Sequence, residues 1–308
     1  GAGQLPLEPL RSLDVRGGVG LDSLQLLNMK VTELRAEVDG RGGQFRVHPI
    51  TMKLYDGGYS GDMRFDVRGE RPKFAVNEEL KGVQVGPLLA DLIGKDHVTG
   101  TGFVTADLAG TGIEPEVVRR TLSGEAAFRF TEGAVKGINI AQMLRKAQAA
   151  LGGGSAPEDA TKKTDFTELK GSVRIDKGVV RNDDLSAKSP LLRVDGAGQA
   201  NIVKETVDYR VKTSVVGSLQ GQGGKDLGEL KGLTVPIRVT GTFSKPEFDV
   251  ELDSVLKDKA KQAVEEKKQQ LKEEAERKLK EKVQDEAGDK AEDAAKDKLK
   301  DKLEGLFR

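Results

Sequence analysis

Apolar and polar residues alternate with a period of two along most of residues 1–253. Leu13, Val15, Gly17, Val19 and Leu21 interleave with Asp14, Arg16, Gly18 and Gly20. The same alternation holds for Phe45 and Val47, for Met63, Phe65 and Val67, and for Phe128 and Phe130. It returns at Leu192, Val194, Gly196, Gly198, Ala200 and Ile202, and again at Val207, Tyr209, Val211, Thr213 and Val215. Leu233, Val235, Ile237, Val239 and Gly241 follow it, and Phe248, Val250 and Leu252 close the series. Successive strand residues point to opposite faces, so each run predicts a strand with one apolar and one polar face. Asp56-Gly57-Gly58 and Asp39-Gly40 are hairpin-type turn signals. Strands joined by Gly turns without long crossovers predict antiparallel sheet.

Three short helices are expected between strands. Gly86-Pro87 to Ile93 carries Pro near a helix start, and Glu114 to Leu122 opens Glu-Pro-Glu, with acidic residues favourable at the N-terminus. Ile138 to Leu151 places Ile138, Ala141, Leu144, Ala147 and Leu151 on one stripe. A Gly-rich run then predicts an exposed loop over 152–164. An apolar residue, any residue, then Gly recurs, as at Val38/Gly40, Leu108/Gly110, Leu169/Gly171 and Val194/Gly196. The spacing is too irregular for a strict solenoid, but it suggests a reused strand-turn unit and hence an elongated sheet.

The pattern changes at about residue 254. Residues 254–308 hold 16 Lys/Arg and 15 Asp/Glu of the chain's 50 and 50, about twice the charge density of the body. Good helix formers and i, i+4 pairs such as Glu274/Lys278 predict a long charged helix, with Ser254 as its N-cap. The expected organisation is a β-rich region with short helices over 1–151, the loop, a continuation of the same sheet over 165–253, and the charged helix over 254–308. The expected fold is therefore mainly β: an elongated, curled antiparallel sheet forming an open groove, short covering helices and the C-terminal helix.

Composition removes several function classes. Equal basic and acidic counts argue against nucleic acid as a partner. The absence of Cys excludes a disulfide scaffold, a zinc ribbon and a Cys nucleophile. No apolar run is long enough to cross a bilayer. The run Gly217 to Asp226 fails as a phosphate loop, because Leu219 stands where the first loop Gly belongs and Asp226 replaces the Ser/Thr. His48 and His97 are far apart, so no zinc site is expected. Asp183-Asp184 and Asp56 read as ordinary surface carboxylates among 50 acidic residues. The chain is expected to be no enzyme and to need no cofactor or metal.

The apolar strand faces are the candidate site. Two readings of them stay open: an ordinary sandwich core, or one face left open as a groove. Aliphatic linings suit acyl chains, which need apolar area and no directional bonds. The candidate lining is Leu13, Val15, Phe45, Val47, Met63, Phe65, Val67, Phe128, Phe130, Leu192, Val194, Val207, Tyr209, Val211, Val235, Ile237 and Val239.

Three stretches carry a family resemblance: 122–140, beginning Leu122-Ser123-Gly124-Glu125; 166–202, with Gly178-Val179-Val180-Arg181-Asn182-Asp183-Asp184-Leu185 within it; and 233–250, with Pro236-Ile237-Arg238-Val239-Thr240-Gly241. In this order they resemble the C-terminal periplasmic region of the AsmA family. That resemblance implies an envelope protein of Gram-negative cells, linked to outer-membrane biogenesis and related to TamB-like and bridge-type lipid-transfer proteins. It implies a periplasmic location, phospholipid as the bound partner, attachment to the inner membrane through an N-terminal anchor missing here, and possible envelope protein partners. It carries over no catalytic residues. A scaffold module for outer-membrane protein assembly is the alternative, using an exposed sheet edge to add a client strand.

Overall fold

The computed structural model of the protein describes residues 7–26, 28–151, 161–216 and 234–285. Helix α1 (Leu7–Ser12) precedes strands β1 (Val15–Leu26), β2 (Met29–Arg41), β3 (Gln44–Leu54), β4 (Gly57–Asp66) and β5 (Lys73–Gln84). Helices then alternate with strands: α2 (Val85–Ile93), β6 (Thr101–Thr111), α3 (Pro115–Thr121), β7 (Ser123–Lys136) and α4 (Ile140–Leu151). Strands β8 (Lys163–Asp176), β9 (Val179–Lys188), β10 (Leu192–Asn201), β11 (Thr206–Val215), β12 (Thr234–Gly241) and β13 (Pro246–Val250) follow, then α5 (Leu252–Asp285). The chain divides into two units, residues 1–252 and 253–308.

The first unit is one 13-stranded sheet in which spatial order equals chain order, with every neighbouring pair antiparallel. Among the described residues nothing pairs β1 with β13, so the sheet is open. At about 4.8 Å per step, its contour across the strands is about 58 Å. The expected antiparallel, mainly β fold is what the chain adopts.

Strict alternation breaks at bulges, which keep the apolar set on one side. In β2, Met29 and Val31 share a face with Leu34, Ala36, Val38 and Gly40, and Glu33 at φ 52° absorbs the extra residue. The β3–β4 turn is Tyr55-Asp56, both at positive φ. The expected turn at Asp39-Gly40 is displaced: both residues lie inside β2, and the reversal falls on Gly42-Gly43, at φ 56° and 81°. Two adjacent residues at positive φ suit a tight hairpin, and only glycine adopts that region without penalty.

The helices sit at the strand ends. Helices α2 and α4 leave from the end shared by Leu54, Gln84 and Lys136, whereas α3 leaves from the opposite end. Gly94 at φ 71° stops α2, with its N–H donating to the Ala90 carbonyl. Pro115 opens α3. The Asn139 side-chain oxygen accepts from the Gln142 N–H at 2.9 Å and caps α4. Helix α2 packs against β2 as well as β5, and Val31, Leu54, Val83 and Val85 are buried at that end. Helix α4 packs against β8, with Leu144 and Ala147 of its expected stripe buried, as are Ala134 and Phe166. Helix α3 borders the turns of the opposite end: Gly178 donates its N–H to the Leu122 carbonyl, and Arg119 lies 3.4 Å from Glu205.

Two expected boundaries shift. Strand β8 begins at Lys163, inside the expected loop, whose residues 152–160 lie outside the described residues, as does Gly217 to Asp226. Helix α5 begins at Leu252, so Ser254 is a helical residue and not its cap. The described helix runs about 50 Å, carries the Glu274–Lys278 pair at 2.7 Å, and exposes Val264 and Leu271. Residues 286–308 of the expected helix lie outside the described residues.

A Cβ built on Gly40 would lie 2.3 Å from the Phe45 ring, whereas one on Gly17 meets nothing within 4 Å. Gly40→Ala is therefore expected to destabilise the fold by about 1–3 kcal/mol through overpacking. Gly17→Ala should be neutral or slightly stabilising. Thermal unfolding of the two variants checks the contrast.

Candidate functional site

Register places apolar residues on one continuous face. The row Val38, Val47, Met63, Val76, Leu108, Gly124, Ile175, Val180, Ala200, Val207 is paired residue to residue from β2 to β11. A second row runs Val83, Gly102, Phe130, Leu169, Ala187, Val194, Thr213, Val235 from β5 to β12. Between them along the first strands lies a central row of mostly small residues: Ala36, Ile50, Gly61, Glu78, Ala106, Ala126 and Val173.

Of the seventeen candidate lining residues, all but Leu13 and Val67 lie on this face of the sheet. Leu13 lies between α1 and β1 and is exposed. Val67 follows β4 and is fully buried, its carbonyl accepting from Arg11 at 2.9 Å. Both residues lie just outside the strands. The same face holds Val76, Leu80, Val104, Leu108 and Val173, on strands whose alternation is interrupted by Glu78 or diluted by glycine and alanine.

Burial falls off across this face. At the α2/α4 end Val31, Val83, Val215 and Val235 are almost wholly buried, whereas towards the other end Val15, Met63 and Phe248 remain 36–39% exposed. One side is thus packed like a core and the other meets solvent.

Aromatic rings lie over glycines of this face. Ideal Cβ positions on Gly110, Gly133 and Gly171 fall 2.5, 2.7 and 3.2 Å from the rings of Phe74, Phe166 and Phe128, and one on Gly196 falls 2.7 Å from the Tyr209 ring. A ring that covers a glycine shields backbone that no side chain would otherwise protect. The recurring apolar-x-Gly unit supplies several of these glycines.

Polar side chains interrupt the face at three places. Tyr59 donates to the Glu78 carboxylate at 3.3 Å. Burial, then the Glu78 charge, push the Tyr59 hydroxyl up, and burial pushes Glu78 above the usual carboxylate range, against the hydrogen bond from Tyr59. Asn182 donates to the Ser172 carbonyl at 2.6 Å and to Asp184 at 2.7 Å, and accepts from Tyr209. Asp184 also accepts from the Ser172 N–H and hydroxyl at 2.7 and 2.8 Å, bonds that hold its carboxyl below the usual range. This network fastens the bulge between Asn182 and Leu185. The Thr213 hydroxyl is buried and has no hydrogen-bond partner among the described residues.

The opposite face is polar. A hollow of about 700 Å³ is lined there by groups including Glu79, Asp107, Glu125, Arg174, Arg181 and Asp183. Arg129 covers Phe103 at 4.6 Å. Asp184 is fixed in its network and Asp56 sits in a turn. His48 lies 3.5 Å from Asp62. Among the described residues no cluster of three or more candidate metal ligands occurs, and no helix is long and apolar enough to cross a membrane.

The AsmA family model matches residues 4–185. Protein AsmA of Escherichia coli (strain K12) is 26% identical over 239 residues, 76% of this chain and 39% of that protein. The chain thus spans about two-fifths of the length of the curated relative it matches. No solved structure matches it.

Because Glu78 is held above the usual carboxylate range, the folded state binds a proton there more tightly than the unfolded chain does. Stability must then fall as pH rises from the ordinary Glu range through the folded value. Glu78→Gln is expected to raise the thermal midpoint more at about pH 8 than at about pH 5. Calorimetry of both proteins at the two pH values checks the sign.

Proposed function

The chain belongs to the AsmA family, and from that membership we propose that its apolar face is a groove that shields phospholipid acyl chains during transport between the membranes of the cell envelope. The protein acts in outer-membrane biogenesis, from the periplasm, as part of a longer chain anchored in the inner membrane. The observation that carries this reading is the apolar face, which continues residue to residue across consecutive strands and stays solvent-accessible on one side.

The mechanism is passive. Each buried CH₂ contributes about 0.8 kcal/mol, so partial cover of two chains is ample for binding. The rows run across the strands and therefore along the sheet's long dimension. A chain lying in them meets similar aliphatic contacts at each strand, and head groups stay in water. Near-uniform contacts allow sliding, where one deep pocket would hold the lipid in place. No covalent step is required, and the role is non-catalytic.

A second reading has its own observation. Strand β1, 12 residues with no proline, is a free edge among the described residues, and it exposes Val19 and Leu21. Such an edge is competent to pair with another strand. It supports the scaffold role, in which the sheet receives a client strand.

Native mass spectrometry with lipid extraction, on protein purified without detergent, separates the two. The groove reading expects phospholipid bound at defined stoichiometry. Met63→Arg, at an exposed point of the apolar face, should weaken retention at least about tenfold, roughly 1.4 kcal/mol. Thr105→Arg, on the polar face, should leave it unchanged. Protein that stays lipid-free after incubation with vesicles would transfer the case to the scaffold reading.

A further inference from the structure

Glu78 is out of place on its face. It stands on the central row between Gly61 of β4 and Ala106 of β6, with Val76 and Leu80 beside it on β5. The two strands packed against it present one other titratable group on this face, Tyr59 of β4; β6 presents Val104, Ala106 and Leu108. The neighbouring charges Glu79 and Lys81 point to the polar face and pair with each other at 2.8 Å. Among the described residues Glu78 has no cationic partner, and its hydrogen bond from Tyr59 is long at 3.3 Å. On the β4 side the Tyr59 ring lies over Gly61, and on the β6 side the flanking residue, Ala106, is small.

We propose that occupancy of this stretch of the groove by an acyl chain is coupled to proton uptake at Glu78, the chain lying over the neutral acid and being disfavoured once the acid ionises. This rests on the groove reading above. The physical reason is desolvation. Hydrocarbon laid over an ionised carboxylate removes water and supplies nothing to replace it, and neutralisation is the route by which a buried acid escapes that cost. The free protein is already part of the way there, since burial raises Glu78 before any chain arrives. By linkage, a ligand that favours the protonated form binds fully at low pH. Its affinity falls as pH rises through the free-protein value, by up to about tenfold per unit. Tyr59 tunes the position of the fall, because its hydroxyl favours the ionised form.

The test uses the full chain and palmitoyl-lysophosphatidylcholine, whose own charge is constant over the range. Calorimetric affinities are measured from about pH 5 to about pH 8, above the ordinary carboxylate range. Wild type should lose affinity with rising pH. Glu78→Gln should bind as tightly as the low-pH wild type at every pH. Tyr59→Phe, which keeps the ring over Gly61, should move the fall to higher pH, and it decides the matter even if Glu78→Gln does not fold. A flat wild-type profile, or a Glu78→Gln profile that follows a sloping wild type, overturns the coupling and leaves the groove standing. Absence of binding by wild type at any pH overturns both.

Discussion

Each strand of this sheet presents most of its apolar residues to the same side, and the antiparallel register carries that choice from β1 to β13. The rest of the structure follows from keeping that single face in phase. A slip of one residue would turn a strand's apolar set to the polar side. Irregularities are therefore accommodated by bulges, as at Glu33 in β2 and between Asn182 and Leu185 in β9, where the Asn182–Asp184–Ser172 network fixes the extra residue. Rings over glycines shield the backbone where side chains are missing, and helices close one end of the strands.

A one-faced sheet of this length meets a second constraint: its apolar face must be covered. Helices α2 and α4 bury one side, from Val31 to Val83 and around Phe166. The other side, with Met63 and Phe248, stays accessible. Partial cover distinguishes this arrangement from a sandwich, in which a second sheet would bury both sides. It also gives a physical reason for a face that is apolar, elongated and without a sharp binding motif.

Much of the fold is legible in the sequence, because period two is a direct image of the pleat. The runs at Val207–Val215 and Val235–Val239 read correctly for that reason. Helix α2 was legible from Pro87 and α4 from its stripe. What alternation alone does not convey is phase across a bulge. In β2 the count breaks at Glu33, in β5 Glu78 replaces an apolar residue, and in β6 glycine and alanine thin the signal. The turn at Gly42-Gly43 is displaced from Asp39-Gly40 because Gly40 is needed on the apolar face opposite Phe45. Glu78 was invisible as a site residue, since only the register shows a carboxylate standing in an apolar row.

The central claim is that lipid lies on one face of the sheet, and adjacent residues of one strand test it most directly. A photo-reactive amino acid is placed in turn at Phe74, Ala75, Val76, Asn77, Leu80 and Lys81 of β5, and crosslinking to phospholipid is read in the envelope fraction. The account predicts crosslinks at Phe74, Val76 and Leu80, and none at Ala75, Asn77 and Lys81. Crosslinks at both sets, or at neither, would contradict it.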